Sequence, residues 1–268
     1  MREIFRWVQV HMPFRFLKEQ QLPLVLREGI NPEISFDHAT LDFYKWDDFR
    51  AVADALRTAA LRVTFHAPFM DLRPGALDPR IRQASIDRLR QLLELVPLFA
   101  PRSVVCHPSF DKRYYVSGEK LWLENSIETW QRLARYLEGT ETIIALENVY
   151  ETEPDQILFL LTALASPRIR FCFDTGHFNV FARTPLRLWI EKLAPFISQI
   201  HIHDNDGTRD AHLPIGEGTF PFRSFFEMLG ALGTALLVTI EAHSLDNLWR
   251  SVDNLQAYEL TAIAEGRR

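Results

Sequence analysis

Residues 169–177 read IRFCFDTGH, a short run rich in Ile and Phe that closes on Asp174 and, one Thr-Gly turn later, on His177. Five other segments are built the same way. They are VTFHAP (63–68, closing on His66), VVCHPS (104–109, His107), IALENV (144–149, Glu147), IHIHDND (200–206, His201) and VTIEAH (238–243, Glu241). A further pair, Asp210 and His212, follows in RDAHLPIGEG (209–218). His, Asp and Glu are the nitrogen and oxygen ligands of zinc, manganese and iron. Parallel strands closed into a barrel all end at one face, so residues far apart in sequence meet there.

Outward from these segments, strand and helix alternate along the chain. Strands are expected at 4–12, 30–36, 61–67, 103–108, 142–148, 169–175, 197–204 and 235–243. Helices are expected at 14–28, 46–59, 81–100, 119–138, 154–165, 185–195, 221–232 and 245–264, with Pro23 kinking or splitting the first. The strands are rich in Val, Ile, Phe and Leu and lack clean alternation, as strands covered on both faces do. Eight strand–helix pairs in 268 residues predict one α/β domain over residues 1–268, a single (β/α)8 TIM barrel. An open doubly wound sheet would carry a glycine-rich phosphate turn after an early strand. Here the Gly-rich piece is GEG at 216–218, near the end of the chain.

The hydrophobic fraction of 47% and the charged fraction of 24% are those of an ordinary globular protein. A net charge of −5 makes no case for non-specific binding to nucleic acid or to a membrane surface. Cys106 and Cys172 both sit in apolar runs, which predicts two buried thiols and a reducing, cytoplasmic compartment. The start MREIFRWVQV mixes charges among its apolar residues and does not read as a signal peptide. No apolar run approaches the ~20 residues of a membrane helix.

A single His or Glu at a strand end is ordinarily a hydrogen-bonded core residue. The set argues otherwise. Glu147, Asp174 and Glu241 would stand beside His201 at one mouth, with no Lys or Arg in IALENV, FCFDTGH, IHIHDND or VTIEAH. Such carboxylates repel, and a divalent cation is the simplest compensation. His66, His107, His177 and His212 are each open to three readings: a core residue, a substrate hydrogen-bond donor or a ligand of a second metal. The Pro soon after His66 and after His107 ends the strand and turns the chain outward, which aims both at the mouth. Asp210 lies in NDGTRD, where a solvated turn is the ordinary role, but the Asp-Ala-His spacing lets it share one metal with His212. Phe14, Phe69, Phe110, Tyr150, Phe178 and Phe181 fall in or near the mouth loops, as a pocket wall or as loop packing.

Through ALEN, FDTGH, HIHDND and DAHLPIGEG the chain resembles the xylose isomerase-like barrel superfamily (AP endonuclease family 2), from His66 to Glu241. That group includes sugar and sugar-phosphate isomerases and epimerases and the endonuclease IV branch. The resemblance implies a shared metal site of Glu, Asp, His and Glu, matched by Glu147, Asp174, His201 and Glu241. In the epimerase branch the two Glu, here Glu147 and Glu241, exchange the substrate proton, and the His of the Asp-x-Gly turn, here His177, holds the substrate. The endonuclease IV branch adds ligands matched by His66, His107, His177, Asp210 and His212 to build a three-zinc site. Two features depart from that branch. Its Gly-rich N-terminal segment is missing, since the first strand ends in His11-Met-Pro-Phe. Loops dense in Lys/Arg and aromatics are missing too; the nearest is Asp111-Lys112-Arg113-Tyr114-Tyr115.

The leading expectation is therefore an isomerase or epimerase of a small polyhydroxylated substrate, with or without a phosphate. It would use one to three divalent metals (Zn, Mn, Fe or Co), with Glu147 and Glu241 moving the proton. The alternative is metal-assisted phosphoester hydrolysis by a metal cluster, favoured by the nine candidate ligands. A third reading is a barrel that binds metal or ligand without turnover. The loops do not favour nucleic acid as partner, and no membrane partner is expected.

Overall fold

The computed structural model describes residues 3–258 and 263–264. Eight strands, β1 (Val8–Pro13), β2 (Asn31–Ser35), β3 (Thr64–His66), β4 (Ser103–Cys106), β5 (Ile143–Glu147), β6 (Ile169–Asp174), β7 (Ile197–Ile202) and β8 (Leu237–Ile240), follow the expected order. Each pairs in parallel with the next, and β8 returns to β1 through Val8, Gln9 and Val10. The sheet is a closed barrel ringed by helices, a (β/α)8 barrel. Closure removes every free edge and gathers all eight carboxyl ends at one mouth.

Alternate residues of each strand face opposite ways, and the barrel uses this to keep two interiors apart. Outward residues such as Val104, Leu146, Phe171, Phe173, Ile200, Val238 and Ile240 belong to one large apolar cluster shared with the helices. The lumen holds a separate small cluster, Val105, Ala145 and Cys172. Gln9, Glu33, Thr64, Ser103, Gln199 and Thr239 are buried polar residues on the same side, with the metal-ligand types above them. The strands are covered on both faces as expected, but the inner cover is a polar network rather than apolar packing.

Element ends differ from expectation where local chemistry intervenes. The first strand starts later, after a 3-10 turn over Glu3–Arg6, because the Asn31 amide donates to the Phe5 carbonyl at 2.7 Å and holds that turn in place. Pro23 splits the first helix as predicted: a π turn (Leu17–Gln21) precedes it and an α segment (Leu22–Glu28) begins around it. That segment stops at Gly29, whose φ of 70° is the left-handed C-cap. The helix expected at 81–100 breaks after Leu93, and Pro97 opens a separate turn over Val96–Phe99. The closing helix runs only Leu245–Asn254 before a 3-10 turn. The part expected over 259–262 lies outside the described residues, and Ala264 forms a bridge to Leu236 rather than a helical turn. Two helices were not anticipated. His38–Phe43 is capped by Asp37, and Thr175–Phe181 is capped by Asp174.

Cys106 and Cys172 are both free and buried. No helix among the described residues is long and apolar enough to cross a membrane.

Candidate functional site

The nine predicted site residues converge at the barrel mouth. Glu147, fully buried at the end of β5, is the centre. His66 Nε2 and His107 Nε2 lie 3.3 and 3.0 Å from its Oε2. His177 Nδ1 and His201 Nδ1 lie 3.2 and 3.4 Å from its Oε1. His201 Nδ1 also lies 3.0 Å from Glu241 Oε1 and 3.9 Å from Asp174 Oδ2. Asp210 joins the group through His177 Nε2 at 3.5 Å and His212 Nε2 at 3.0 Å, and His212 Nδ1 lies 3.6 Å from Glu241 Oε2.

These contacts test whether a cation fits. Bonds of about 2.0–2.2 Å to nitrogen and oxygen place neighbouring ligand atoms on one metal about 3.0–3.6 Å apart. Most of the separations above fall in that range. Ordinary hydrogen bonding accounts for the His212–Asp210 contact but not for the contacts around Glu147. Both Glu147 oxygens, His107 Nε2, His201 Nδ1 and His212 Nδ1 are buried and have no hydrogen-bond partner among the described residues. Buried polar atoms are rarely left so. The donor atoms fall into cation-sized groups: Glu147–Asp174–His201, His66–His201–Glu241, His66–His107–Glu147 and His203–His212–Glu241. The residues present fit a divalent metal, and they offer more than one position for it.

His203 and Glu33 are the residues that the sequence reading passed over. Its choice within HIH was His201, yet positions 201 and 203 share a strand face. His203 Nε2 lies 3.0 Å from Asp174 Oδ2 and 3.7 Å from Glu241 Oε2, so it approaches the same carboxylates. The i, i+2 spacing was the available signal. Glu33 in NPEIS is fully buried in the lumen, with Oε1 3.0 Å from His201 Nε2. A Glu inside an apolar strand was its signal. Two more histidines border the site: His11, edge-on to His66 with ring centroids 5.6 Å apart, and His243, stacked on His212 at 3.8 Å.

Local structure explains the placements. Asp174 caps the helix Thr175–Phe181, accepting from the His177 backbone N–H at 2.6 Å, and this turns the His177 ring back over Glu147. His177 Nδ1–H donates to the Asn148 carbonyl at 3.0 Å. The Asn148 side chain in turn bridges to Asp174, donating to its carbonyl and accepting its N–H. Gly176 is required because an added Cβ would overlap the His203 ring. The loop carrying Asp210 and His212 is pinned by Asp204. Its carboxylate accepts backbone N–H bonds from Asn205, Gly216, Gly218 and Phe220 at 2.9–3.1 Å. The GEG segment is thus a structural clamp.

The electrostatics are those of ionised carboxylates among histidines. Burial alone would raise Glu147 and Glu241; the surrounding imidazoles, His201 foremost, outweigh it and hold both well below the usual carboxylate range. Burial likewise opposes charge on His177, but Asp174, Asp210 and Glu147 hold it well above the ordinary imidazole value. His11 goes the other way, pushed down to about 4 by burial. Among the described residues the ion-pair partners of Glu147, Asp174, Asp210 and Glu241 are all histidines.

Of the six mouth aromatics, Phe69 and Phe181 touch site histidines, and Tyr150 packs on Phe181. Phe69 stacks on His107 at 4.6 Å, and Phe181 contacts both His177 and Tyr150. Phe14, Phe110 and Phe178 pack in the outer core.

A sequence model for the xylose isomerase-like TIM barrel matches residues 31–259. The chain belongs to that family. The uncharacterized protein MJ1311 of Methanocaldococcus jannaschii is 28% identical over 207 residues, 74% of this chain and 70% of its own. A probable endonuclease 4 of Mycobacterium leprae is 25% identical over 188 residues, 65% of this chain and 71% of its own. Among solved structures, a D-tagatose 3-epimerase-like protein superposes with a TM-score of 0.80 at 22% identity, covering 95% of this chain and 98% of its own. At that identity the likeness shows the shared fold.

Proposed function

We propose that this family member is a divalent-metal-dependent isomerase or epimerase of a small polyhydroxylated substrate. The observation that carries the reading is the pair of buried carboxylates, Glu147 and Glu241, on two sides of His201 Nδ1 at 3.4 and 3.0 Å, with Asp174 and His203 beside them. We assign the main cation to Glu147, Asp174 and Glu241 with the imidazoles of His201 and His203. A bound divalent cation would act there as a Lewis acid on a carbonyl and its neighbouring hydroxyl. Glu147 and Glu241 come from β5 and the end of β8, so they can reach a substrate carbon from opposite sides. One removes a proton as general base and the other returns one as general acid. His177, fixed by Asn148 and Asp174, directs its Nε2 edge toward the cavity and orients a substrate hydroxyl. Phe69 and Phe181 present apolar faces to the ring or chain of the substrate. The two free buried cysteines fit a reducing, cytoplasmic compartment.

A second reading, phosphoester hydrolysis, is favoured by the flanking groups His66–His107–Glu147 and His203–His212–Glu241, each able to take a further metal. The likeness to a probable endonuclease 4 supports it. One experiment separates the two. The protein is reconstituted with manganese or zinc, its metal content is measured, and ketohexoses are incubated with it in D2O. The isomerase reading expects deuterium on the carbon beside the carbonyl, and loss of exchange in Glu241→Gln. Two or three metals per chain, no exchange and hydrolysis of bis(p-nitrophenyl) phosphate would overturn it in favour of the second.

A further inference from the structure

Beneath the cation site the lumen contains a charged group with no part in the chemistry above. Glu33, from β2, is fully buried. Its Oε2 accepts three hydrogen bonds from three other strands: Thr64 Oγ1 at 3.1 Å, Gln199 Nε2 at 2.6 Å and Thr239 Oγ1 at 2.9 Å. Ser103 Oγ donates to Gln199 Oε1 and fixes that amide in turn. With one oxygen saturated, Oε1 is left facing His201 Nε2; Gln199 Nε2 lies 3.3 Å from the same ring nitrogen, but an amide nitrogen only donates, so a protonated Nε2 has Glu33 as its acceptor. Glu33 Oε1 lies 3.0 Å from His201 Nε2, and the opposite edge of that ring puts Nδ1 3.0 Å from Glu241 Oε1 and 3.4 Å from Glu147 Oε1.

A buried carboxylate is costly, and closing this barrel does not require one, since hydroxyl and amide groups can satisfy each other. A metal-site imidazole, however, needs a partner on its far nitrogen to set its tautomer and ring orientation, and a carboxylate is the usual one. We propose that Glu33 is the positioning residue of this site: it holds the His201 ring with Nε2 inward, so that Nδ1 faces Glu147, Glu241 and the cation between them. Without it a half-turn of the ring would put a carbon where Nδ1 stands. The proposal rests on the cation reading for its functional consequence, while the Glu33–His201 contact stands by itself.

The test uses the full chain with Glu33→Gln, which keeps the size and the acceptor of the side chain, and Thr239→Val, which removes a donor to Glu33 while leaving the Glu33 carboxylate in place. In metal-free protein labelled with 15N-histidine, long-range 1H–15N spectra should show one imidazole protonated at Nε2 and sheltered from solvent. Its signals are identified by their loss in His201→Gln. Glu33→Gln should shift that ring's nitrogens and lower zinc or manganese affinity by about 10–100-fold. Thr239→Val should lower affinity by less than about 3-fold, as expected of a group outside the carboxylate–histidine–metal line. Unchanged His201 resonances in Glu33→Gln would overturn the proposal. So would equal losses of affinity in both variants, because the tier would then be merely structural. Wild-type protein that binds no divalent cation would refute the cation reading instead, and the ring-nitrogen spectra would still decide the Glu33–His201 contact.

Discussion

Glu151 offers a quantitative check on the buried charge around the mouth. It follows β5 by four residues, is 4% exposed, and spends one carboxylate oxygen on the Val149 backbone N–H at 2.7 Å while the other has no hydrogen-bond partner among the described residues. Burial pushes its carboxyl from 4.5 up to about 7. The fold therefore keeps a proton that the unfolded chain releases above about pH 4.5. Stability falls as pH rises through the window from 4.5 to about 7, and levels off above it. At about 1.4 kcal/mol per tenfold, the gap amounts to about 3 kcal/mol. Glu151→Gln keeps the acceptor for Val149 and removes the ionisation. Its stability relative to wild type should rise by about 3 kcal/mol between pH 4.5 and pH 8. Urea unfolding of both proteins after EDTA treatment measures this, and the site histidines titrate in both and cancel in the difference. A difference between the two proteins that is the same at both pH values would refute the reasoning.

Three further outcomes are expected. On the proposed cation reading, removing the metal should lower the melting temperature, since a ligand of the native state alone stabilises it; melts with and without EDTA, alongside metal analysis, check it. Gly176→Ala forces a Cβ into the His203 ring, so it should cost about 1–3 kcal/mol and weaken metal binding, read by urea unfolding and by zinc titration. Asp204→Asn withdraws charge from four backbone N–H bonds that pin the loop of Asp210 and His212, and should cost about 1.5–3 kcal/mol. Hydrogen exchange at Gly216 and Gly218 should quicken in that variant while the β5 amides remain protected.

Much of the site was legible in the sequence because closure of a parallel barrel turns a one-dimensional regularity into a place. Six apolar runs that end in His, Asp or Glu are enough to predict a common mouth, and His66, His107, Glu147, Asp174, His177, His201, Asp210, His212 and Glu241 do meet there. Element ends were less legible. Whether Pro97 bends a helix or breaks it depends on the packing of Val96 and Phe99 against the core, which no local pattern contains. Only the tertiary structure decided three other things. Strand register and barrel curvature brought His203 to Asp174 beside His201. Lumen packing, through the donors Thr64, Gln199 and Thr239 from three strands, gave Glu33 its role. The fold of the 204–220 loop around one carboxylate made GEG a clamp. The sequence by itself determined the alternation of elements and the chemistry of the ligands, because burial and propensity act along the chain. Which atoms face which was settled by side chains arriving from different strands, and their separations exist only once the barrel has closed.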